Sequence, residues 1–174
     1  MKKCIFTIGH STKTIDYFID ILKTYEIGLV VDVRTIPMSR HNPQFNEEVL
    51  KRSLRKARIR YRHLPRLGGL RHTTKASIQT GWQNASFRGF ADYMETPPFW
   101  KGLEALEKLA TKTNTAIMCA EAVPWRCHRS LIADALYLRK WKVLHMMSKK
   151  TARAHKKTSF LHVRKGKLIY TQTT

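Results

Sequence analysis

Apolar residues recur three or four positions apart in several segments of the chain, which is the spacing of one face of an α-helix. Ile15, Phe18 and Leu22 illustrate this pattern in the first of these segments. Asn46 precedes another segment as a candidate cap, with acidic residues in the first turn, where the helix dipole favours them. The pattern predicts helices over residues 15–25, 47–57, 97–112 and 127–140, and one or two helical turns over 90–94.

Short apolar runs alternate with the predicted helices, and such runs are typical of buried strands. The predicted strands lie over residues 4–8, 27–33, 58–64, 115–120 and 143–146. Two later runs, 159–163 and 168–173, meet near Gly166 and predict a β-hairpin. Residues 65–89 are irregular and contain several glycines, and a loop of this length in a compact domain usually has a function.

The alternation of strands and helices predicts an α/β fold with a mostly parallel sheet. We expect a single-domain, three-layer, Rossmann-like arrangement with a small C-terminal β-hairpin. A length of 174 residues suits one domain. We place the α/β domain over residues 1–147 and a basic C-terminal extension, containing the hairpin, over 148–174.

Chemically suggestive residues fall where the predicted strands end. Ligands of parallel α/β sheets bind beyond the carboxyl ends of the strands, so these residues are expected to share one edge of the sheet. The residues that this rule gathers are His10, Ser11, Asp32, Arg34, Cys119, Glu121, Arg126, Cys127, His128 and Arg129. The sequence therefore predicts a pocket at this edge.

Four of these residues are candidates for catalysis. Cys127 lies at a predicted helix start beside basic residues, and both features favour a thiolate. We expect His10 to act as its base and Asp32 to orient that base. Glu121 is a candidate proton donor or acceptor.

The remaining residues suit anion binding. Guanidinium groups of Arg34, Arg126 and Arg129 can hold a phosphate or carboxylate through paired hydrogen bonds. The free N–H groups of a helix start add affinity for anions. Ser11, Cys119 and His128 complete the predicted ligand-binding set.

Structural interpretations of the same residues remain open. Cys119 lies in an apolar run, where a free cysteine usually acts as a small buried hydrophobe. Asp32 can pair with Arg34, and Glu121 with Arg129, in an ion-pair network without catalysis. Aromatic residues near Trp82, mixed with basic ones, can stack bases, but packing of the loop is the favoured interpretation.

Metal and cofactor sites are disfavoured by the spacing. Zinc would require Cys119, Cys127 and His128 together with His10, yet the cysteines do not form a C-x-x-C pair. The Gly68-Gly69 pair matches neither a dinucleotide fingerprint nor a phosphate loop. We predict no metal and no cofactor.

The charge of the chain points to a polyanionic partner. Lys and Arg number 33 against 12 Asp and Glu, giving a net charge of +21. Residues 49–91 and 135–174 each hold 11 basic residues and no acid, so these two segments carry the excess. Such a distribution favours nucleic acid or a phosphorylated ligand, although a basic surface can also serve solubility alone.

Cysteine content and hydropathy bear on the compartment. Three cysteines, an odd number, do not suggest a disulfide framework. No apolar run approaches the roughly 20 residues that span a bilayer, and no cleavable signal peptide is recognisable at the start. We expect a cytoplasmic protein that does not interact with membranes.

Several motifs together resemble a known family. They are TIGHS at 7–11, DVR-x-x-P-x-S at 32–39, LGG at 67–69, MCAE-x-x-P-x-x-CHR at 118–129 and LIAD at 131–134. An aromatic stretch through Phe90 and Tyr93 adds to them. This combination resembles the domain of unknown function 488 family over about residues 6–146. The resemblance implies an α/β fold and a map of motif positions, but no reaction.

The predicted function is that of a strand-end anion pocket that acts on or recognises nucleic acid or a phosphorylated, nucleotide-like ligand, with cysteine and histidine chemistry. The alternative is a non-catalytic nucleic-acid-binding module in which the Cys-His-Arg motif is structural. Thiol alkylation separates the two, because it would abolish the chemistry of the first and leave the salt-dependent binding of the second.

Overall fold

The computed structural model describes residues 3–172. Its α-helices are α1 (Ile15–Thr24), α2 (Glu47–Lys56), α3 (Ala85–Tyr93), α4 (Pro97–Ala110) and α5 (Arg129–Leu138). Its strands are β1 (Cys4–Gly9), β2 (Leu29–Asp32), β3 (Arg60–His63), β4 (Thr115–Cys119), β5 (Lys142–Met146), β6 (Ala152–Ala154), β7 (Leu161–Arg164) and β8 (Lys167–Tyr170). Short 3₁₀ turns cover Pro43–Phe45, Pro65–Leu67 and Pro124–Arg126.

Six strands form one sheet in the order β3-β2-β4-β1-β5-β6. Neighbouring strands are parallel except for β6, which runs antiparallel to β5 at one edge. Strands β7 and β8 form a separate antiparallel hairpin. Its turn holds Lys165 and Gly166 at positive φ, 48° and 75°, as a tight hairpin turn requires. The predicted α/β class and C-terminal hairpin are confirmed.

Helices cover both faces of the sheet, because successive strand residues point to opposite faces. On β2, Val30 packs into one core cluster and Val31 into the other. Helices α1 and α2 cover the Val30 face, where Phe18 and Leu54 are buried. Helices α3, α4 and α5 cover the opposite face. This is the expected three-layer arrangement.

Two elements differ from the sequence-based expectation. Helix α3 begins at Ala85, five residues before the predicted helical turns, because the Asn84 side chain accepts hydrogen bonds from the N–H groups of Ser86 and Phe87. Strand β6 was not predicted, since three residues between basic neighbours carry no periodic pattern. The irregular segment thus ends at residue 84, and the sheet gains an antiparallel edge.

The C-terminal extension packs onto the rest of the fold. Strand β6 joins the main sheet, and Leu161 and Tyr170 are buried in the core cluster beneath α3, α4 and α5. The Gly81 N–H donates to the Tyr170 carbonyl oxygen at 2.8 Å. The end of the predicted second hairpin strand, Thr173, lies outside the described residues. The boundary at residue 147 stays a prediction.

Helix length bears on membrane insertion. The longest helix, α4, has 14 residues. Across residues 3–172, no helix combines the length and the apolar character that crossing a bilayer requires.

Candidate functional site

The carboxyl ends of β2, β4 and β1 lie side by side in the sheet. Asp32 at the end of β2 pairs with Met118 of β4, and Cys119 pairs with Gly9 of β1. Beyond the strands, the His10 N–H donates to the Cys119 carbonyl oxygen and the Ser11 N–H to that of Ala120, both at 2.9 Å. The structure thus brings the loops after these three strands to one edge.

Strand alternation divides the candidate residues at this edge between two faces. Asp32 shares the register position of Met118, which packs in the α1–α2 cluster, whereas Cys119 packs in the α3–α5 cluster. We call the first group the arginine cluster (His10, Asp32, Arg34, Phe45 and Tyr61) and the second the thiol cluster (Cys119, Cys127, His128 and Arg129).

A buried ion pair organises the arginine cluster. Arg34 donates from Nε to Asp32 Oδ1 at 2.9 Å and from Nη2 to Oδ2 at 2.7 Å. The Tyr61 hydroxyl donates to the same Oδ2 at 2.6 Å, and Arg34 Nη2 also donates to the Phe45 carbonyl oxygen at 2.8 Å. Asp32 is completely buried, so this carboxylate is satisfied inside the protein. The charge of Arg34 is therefore already balanced.

His10 is fixed between an aromatic ring and a guanidinium. Its ring stacks on Phe45 with centroids 4.3 Å apart, and its Nδ1–H donates to the Ser11 carbonyl oxygen at 2.9 Å. Nε2 lies 3.4 Å from Arg34 Nη1. Burial, with the Arg34 charge, lowers the pKa of His10 to about 4. The imidazole is therefore neutral at pH 7, with Nε2 as its acceptor.

The expected chain from Cys127 through His10 to Asp32 differs from the observed geometry. Within residues 3–172, no hydrogen bond joins His10 to either sulfur, and Asp32 reaches His10 only through Arg34. The reason is strand alternation, because the side chains on either side of the sheet face different helix layers. The catalytic roles assigned to His10 and Asp32 stay predictions.

Cys119 and Cys127 meet in the thiol cluster. The two sulfurs are 2.6 Å apart, closer than ordinary contact and longer than the roughly 2.05 Å of a disulfide, and both residues are free cysteines. Cys119 ends β4, and the 3₁₀ turn Pro124–Arg126 brings the chain back so that Cys127 donates its S–H to Cys119. Two cysteines that are eight residues apart in the sequence therefore form a direct thiol pair.

The two thiols differ in acidity. Burial alone raises the pKa of Cys119, but the hydrogen bond from Cys127 and the Arg129 charge bring that pKa below its ordinary value. Burial and the same hydrogen bond raise the pKa of Cys127. The Arg129 N–H reaches Cys127 Sγ at 3.5 Å, as expected at a helix start, yet the better-stabilised thiolate is that of Cys119.

Arg129 is a buried cation without a carboxylate partner. Its side chain is 1% exposed, and Nη2 donates to the Ala122 carbonyl oxygen at 3.1 Å. Nε and Nη1 have no hydrogen-bond partner, and no carboxylate of the described residues lies within 4.0 Å, so the Glu121–Arg129 pair is not formed. An unpaired buried charge is unfavourable. Its charge acts on the neighbouring Cys119 sulfur, where it favours the thiolate.

His128 lies on the other side of Cys127. Its Nε2–H donates to the Val33 carbonyl oxygen at 2.9 Å, which leaves Nδ1 as an acceptor 3.5 Å from Cys127 Sγ. Burial lowers the pKa of His128 to about 4, so the ring is neutral at pH 7. His128, assigned to ligand binding from the sequence, is therefore the histidine that faces Cys127 as a hydrogen-bond acceptor.

A cavity of about 300 Å³, the thiol cavity, opens at this edge. Of the sequence-predicted residues, its lining includes Arg34, Cys119, Glu121, Arg126, Cys127 and His128. The lining does not include His10, Ser11, Asp32 or Arg129. Arg129 thus acts on the cavity from behind Cys119, and Arg126 is the exposed cation at its surface.

Sequence reasoning missed the apolar part of this lining. Ile36, Met38 and Leu70 are 58%, 68% and 70% exposed and line the cavity. Gly69 lies against His128, because a Cβ at this position would come within 2.5 Å of the imidazole Nδ1. Apolar residues inside the DVR-x-x-P-x-S motif, at Ile36 and Met38, and directly after the LGG motif, at Leu70, were the available signal, since clustered exposed apolar side chains often mark a binding site.

A metal centre requires several ligating side chains close together. In the described part of the chain, no group of three or more His, Cys, Asp or Glu side chains is arranged to hold a metal ion.

Fold and site together define an α/β protein with a six-stranded, mostly parallel sheet and a thiol cavity at the strand ends. The sequence model of the domain of unknown function DUF488 matches residues 14–136, more than half of the 174 residues. The chain therefore belongs to the DUF488 family, which confirms the resemblance. The matched segment contains Asp32, Cys119 and Arg129, and begins after His10. Searches of curated proteins and of solved structures find no match.

Proposed function

We propose that the thiol cavity binds a phosphate-bearing, nucleotide-like ligand or a nucleic acid and that Cys119 is its reacting group. The observation that carries this proposal is the thiol pair at 2.6 Å beside the buried, unpaired guanidinium of Arg129. Both sulfurs line an open cavity. Structural cysteines are normally inert in apolar surroundings, whereas this pair has a cationic neighbour and, although buried, lines a cavity.

In this proposal the nucleophile is the Cys119 thiolate. Cys127 donates the hydrogen bond that stabilises it, and Arg129 supplies the compensating charge. His128 Nδ1 can accept a hydrogen bond from the Cys127 thiol once the Cys119 sulfur no longer accepts it. The nucleophile thus differs from Cys127, which the sequence suggested, because the Cys127 thiol donates its hydrogen bond to the Cys119 sulfur.

Anion binding is supported by the charges around the cavity. Arg126 is exposed at its surface and Arg129 is buried behind it. Arg34 contributes less, because Asp32 neutralises it. Glu121, also in the lining, is the one carboxylate among the described lining residues and offsets one of these positive charges. Anion binding at this cavity therefore depends on the exposed guanidinium of Arg126, which can form paired hydrogen bonds with a phosphate.

The test is the alkylation rate of each cysteine as a function of pH, read by mass spectrometry with iodoacetamide as the probe. We expect Cys119 to react with an apparent pKa below the free-thiol value of about 8.5, and faster than Cys4 or Cys127. Inorganic phosphate or a short oligonucleotide should slow the modification of Cys119, because a bound anion covers the sulfur.

A pair of variants isolates the hydrogen bond. Cys127→Ala removes the donor to Cys119, so the apparent pKa of Cys119 should rise and its alkylation at pH 7 should slow by about tenfold. Cys127→Ser keeps a donor and should retain most of the rate. The thiolate proposal is wrong if Cys119 reacts no faster than Cys4 in the unmodified protein. It is also wrong if Cys119 is alkylated in both variants at the rate of the unmodified protein.

A second candidate function is a non-catalytic nucleic-acid-binding module. The net charge of +21, carried by two acid-free segments, favours it independently of the cysteines. In that case alkylation of Cys119 leaves nucleic-acid binding unchanged.

A further inference from the structure

A second cavity, of about 750 Å³, lies beside the 3₁₀ turn Pro124–Arg126. Trp125 of this turn lines the second cavity, whereas Arg126 lines the thiol cavity, and the two cavities share no lining residue. The residues that define its chemistry are Trp82, Trp125, His145, Arg153, His155 and Lys156. We call it the aromatic cavity. Its volume lies within the roughly 300–1,000 Å³ of small-molecule sites.

Two indole side chains form part of its wall. Trp125 is 56% exposed, which is unusual for a side chain of this size. Trp82 is held by Phe160 and Tyr170, with ring centroids 4.9 and 5.3 Å away, and its indole N–H is buried without a partner. One indole is therefore rigid and the other accessible, as suits the stacking of a planar ring.

The charged side chains of this lining are cationic. Arg153 and Lys156 are exposed, and the described lining contains no Asp or Glu. Ser130 and Thr158 also line the cavity, but their hydroxyls donate to the Cys127 carbonyl oxygen and to Asp134, so the cations are the donors left for an anion. This set suits an anion that also carries an aromatic ring.

A buried hydrogen-bond chain fixes the base of the cavity. Asp134 Oδ1 lies 2.8 Å from His155 Nε2, His155 Nδ1 lies 2.9 Å from His145 Nε2, and His145 Nδ1 lies 2.7 Å from Thr7 Oγ1. All four ring nitrogens are occupied, so both histidines are positioning residues rather than ligand donors.

Asp134 also holds the C-terminal extension in place. It accepts hydrogen bonds from the Thr158 N–H at 3.0 Å, the Thr158 hydroxyl at 2.7 Å and the Tyr170 hydroxyl at 2.9 Å. Asp134 lies within the family match at 14–136, whereas Arg153 and Lys156 lie beyond it. The cavity is therefore built jointly by the family segment and the extension.

We propose that the aromatic cavity binds a nucleotide unit, its base against the Trp125 and Trp82 indoles and its phosphate at Arg153 and Lys156. The unit is a free nucleotide or one nucleotide of a strand, since both present the same base and phosphate. This site goes beyond the thiol cavity and does not depend on Cys119.

The test is titration calorimetry of the full chain with adenosine 5′-monophosphate, a pentadeoxyadenylate and inorganic phosphate. We expect one or both nucleotide probes to bind more tightly than phosphate. Trp125→Leu, at an exposed position, should weaken binding at least about fivefold, because stacking of a base contributes on the order of 1–3 kcal/mol. Arg153→Gln with Lys156→Gln should weaken it similarly.

The matched control replaces two exposed lysines outside the cavity and outside both acid-free segments, Lys101→Gln with Lys112→Gln, which should bind as the unmodified protein does. Binding of the mononucleotide identifies a free nucleotide, and binding of the pentadeoxyadenylate alone identifies a strand. Absence of binding by both nucleotide probes, binding equal to that of phosphate, or unchanged binding in Trp125→Leu overturns the proposal. Repeating the titration with Cys119→Ser distinguishes nucleotide binding at the aromatic cavity, which should be unchanged in this variant, from an effect of the thiol site.

Discussion

Three histidines are held uncharged by the interior of this protein. Burial lowers the pKa of His10 and His128 to about 4, and that of His145 to about 3. Each ring is fixed by a hydrogen bond, to the Ser11 carbonyl oxygen, the Val33 carbonyl oxygen and the Thr7 hydroxyl respectively. His128 lines the thiol cavity and His145 lines the aromatic cavity, so each cavity contains a neutral imidazole.

The stability of the fold should therefore decrease in mild acid. The folded-state pKa of each histidine lies below its unfolded value of about 6.5, so the unfolded chain binds more protons between pH 6.5 and 4. Stability is complete above pH 6.5 and is lost as the pH falls through this window, by on the order of 2 kcal/mol per histidine between pH 7 and 5.

Urea unfolding at pH 7, 6 and 5 measures this dependence. His10→Gln should reduce the pH dependence of the free energy of unfolding by the contribution of one histidine. His72→Gln, at an exposed position, controls for the loss of an imidazole elsewhere. A free energy of unfolding that stays constant from pH 7 to 5 would contradict the assignment of neutral buried rings.

At the scale of elements, the LGG segment sets the position of His128. A Cβ on Gly69 would lie 2.5 Å from His128 Nδ1 and 2.7 Å from Cγ, and this ring is tied to the Val33 carbonyl oxygen. Gly69→Ala should therefore displace the imidazole from Cys127 and destabilise the fold by about 1–3 kcal/mol, as overpacking usually does.

Urea unfolding together with the alkylation profile of Cys127 checks this expectation. Leu70→Ala is the matched variant, since Leu70 lines the same cavity but is 70% exposed. If Gly69→Ala keeps the stability and the thiol reactivity of the unmodified protein, the position of His128 does not depend on this glycine.

The order of elements follows from the periodicity of the chain, but the pairing of side chains at the site does not. Strand runs such as 27–33 and 115–120 indicate which residues reach the edge. The face to which Asp32 or Cys119 points depends on the register between strands, which a single sequence does not contain. The turn Pro124–Arg126, which brings Cys127 to Cys119, likewise depends on tertiary contacts.

At the scale of the whole molecule, the positive charge is distributed unevenly along the chain. Residues 49–91 include all but the first two residues of α2 and the whole edge strand β3, where Arg55, Lys56 and Arg60 are exposed. Basic side chains on an edge strand also hinder pairing with other chains, so a structural role accounts for part of the pattern. The remaining excess lies in the extension that lines the aromatic cavity. Together the two segments form the candidate surface for a long polyanion.

Salt dependence distinguishes a nucleic-acid surface from a solubility surface. If phosphates contact these segments, log K for a 20-nucleotide strand should fall linearly with log salt concentration, by about 0.7 for each phosphate neutralised on a single strand. Arg55→Gln with Lys56→Gln should lower the affinity and reduce this slope by up to about 1.4. The matched variant Asp16→Asn with Asp20→Asn removes charge of the opposite sign from α1 and should not lower the affinity. Fluorescence anisotropy between 50 and 300 mM salt measures both quantities. A slope near zero, or no binding at 50 mM salt, would assign the basic segments to solubility. Among the described residues, the two cavities would then be the remaining candidate sites for anion binding.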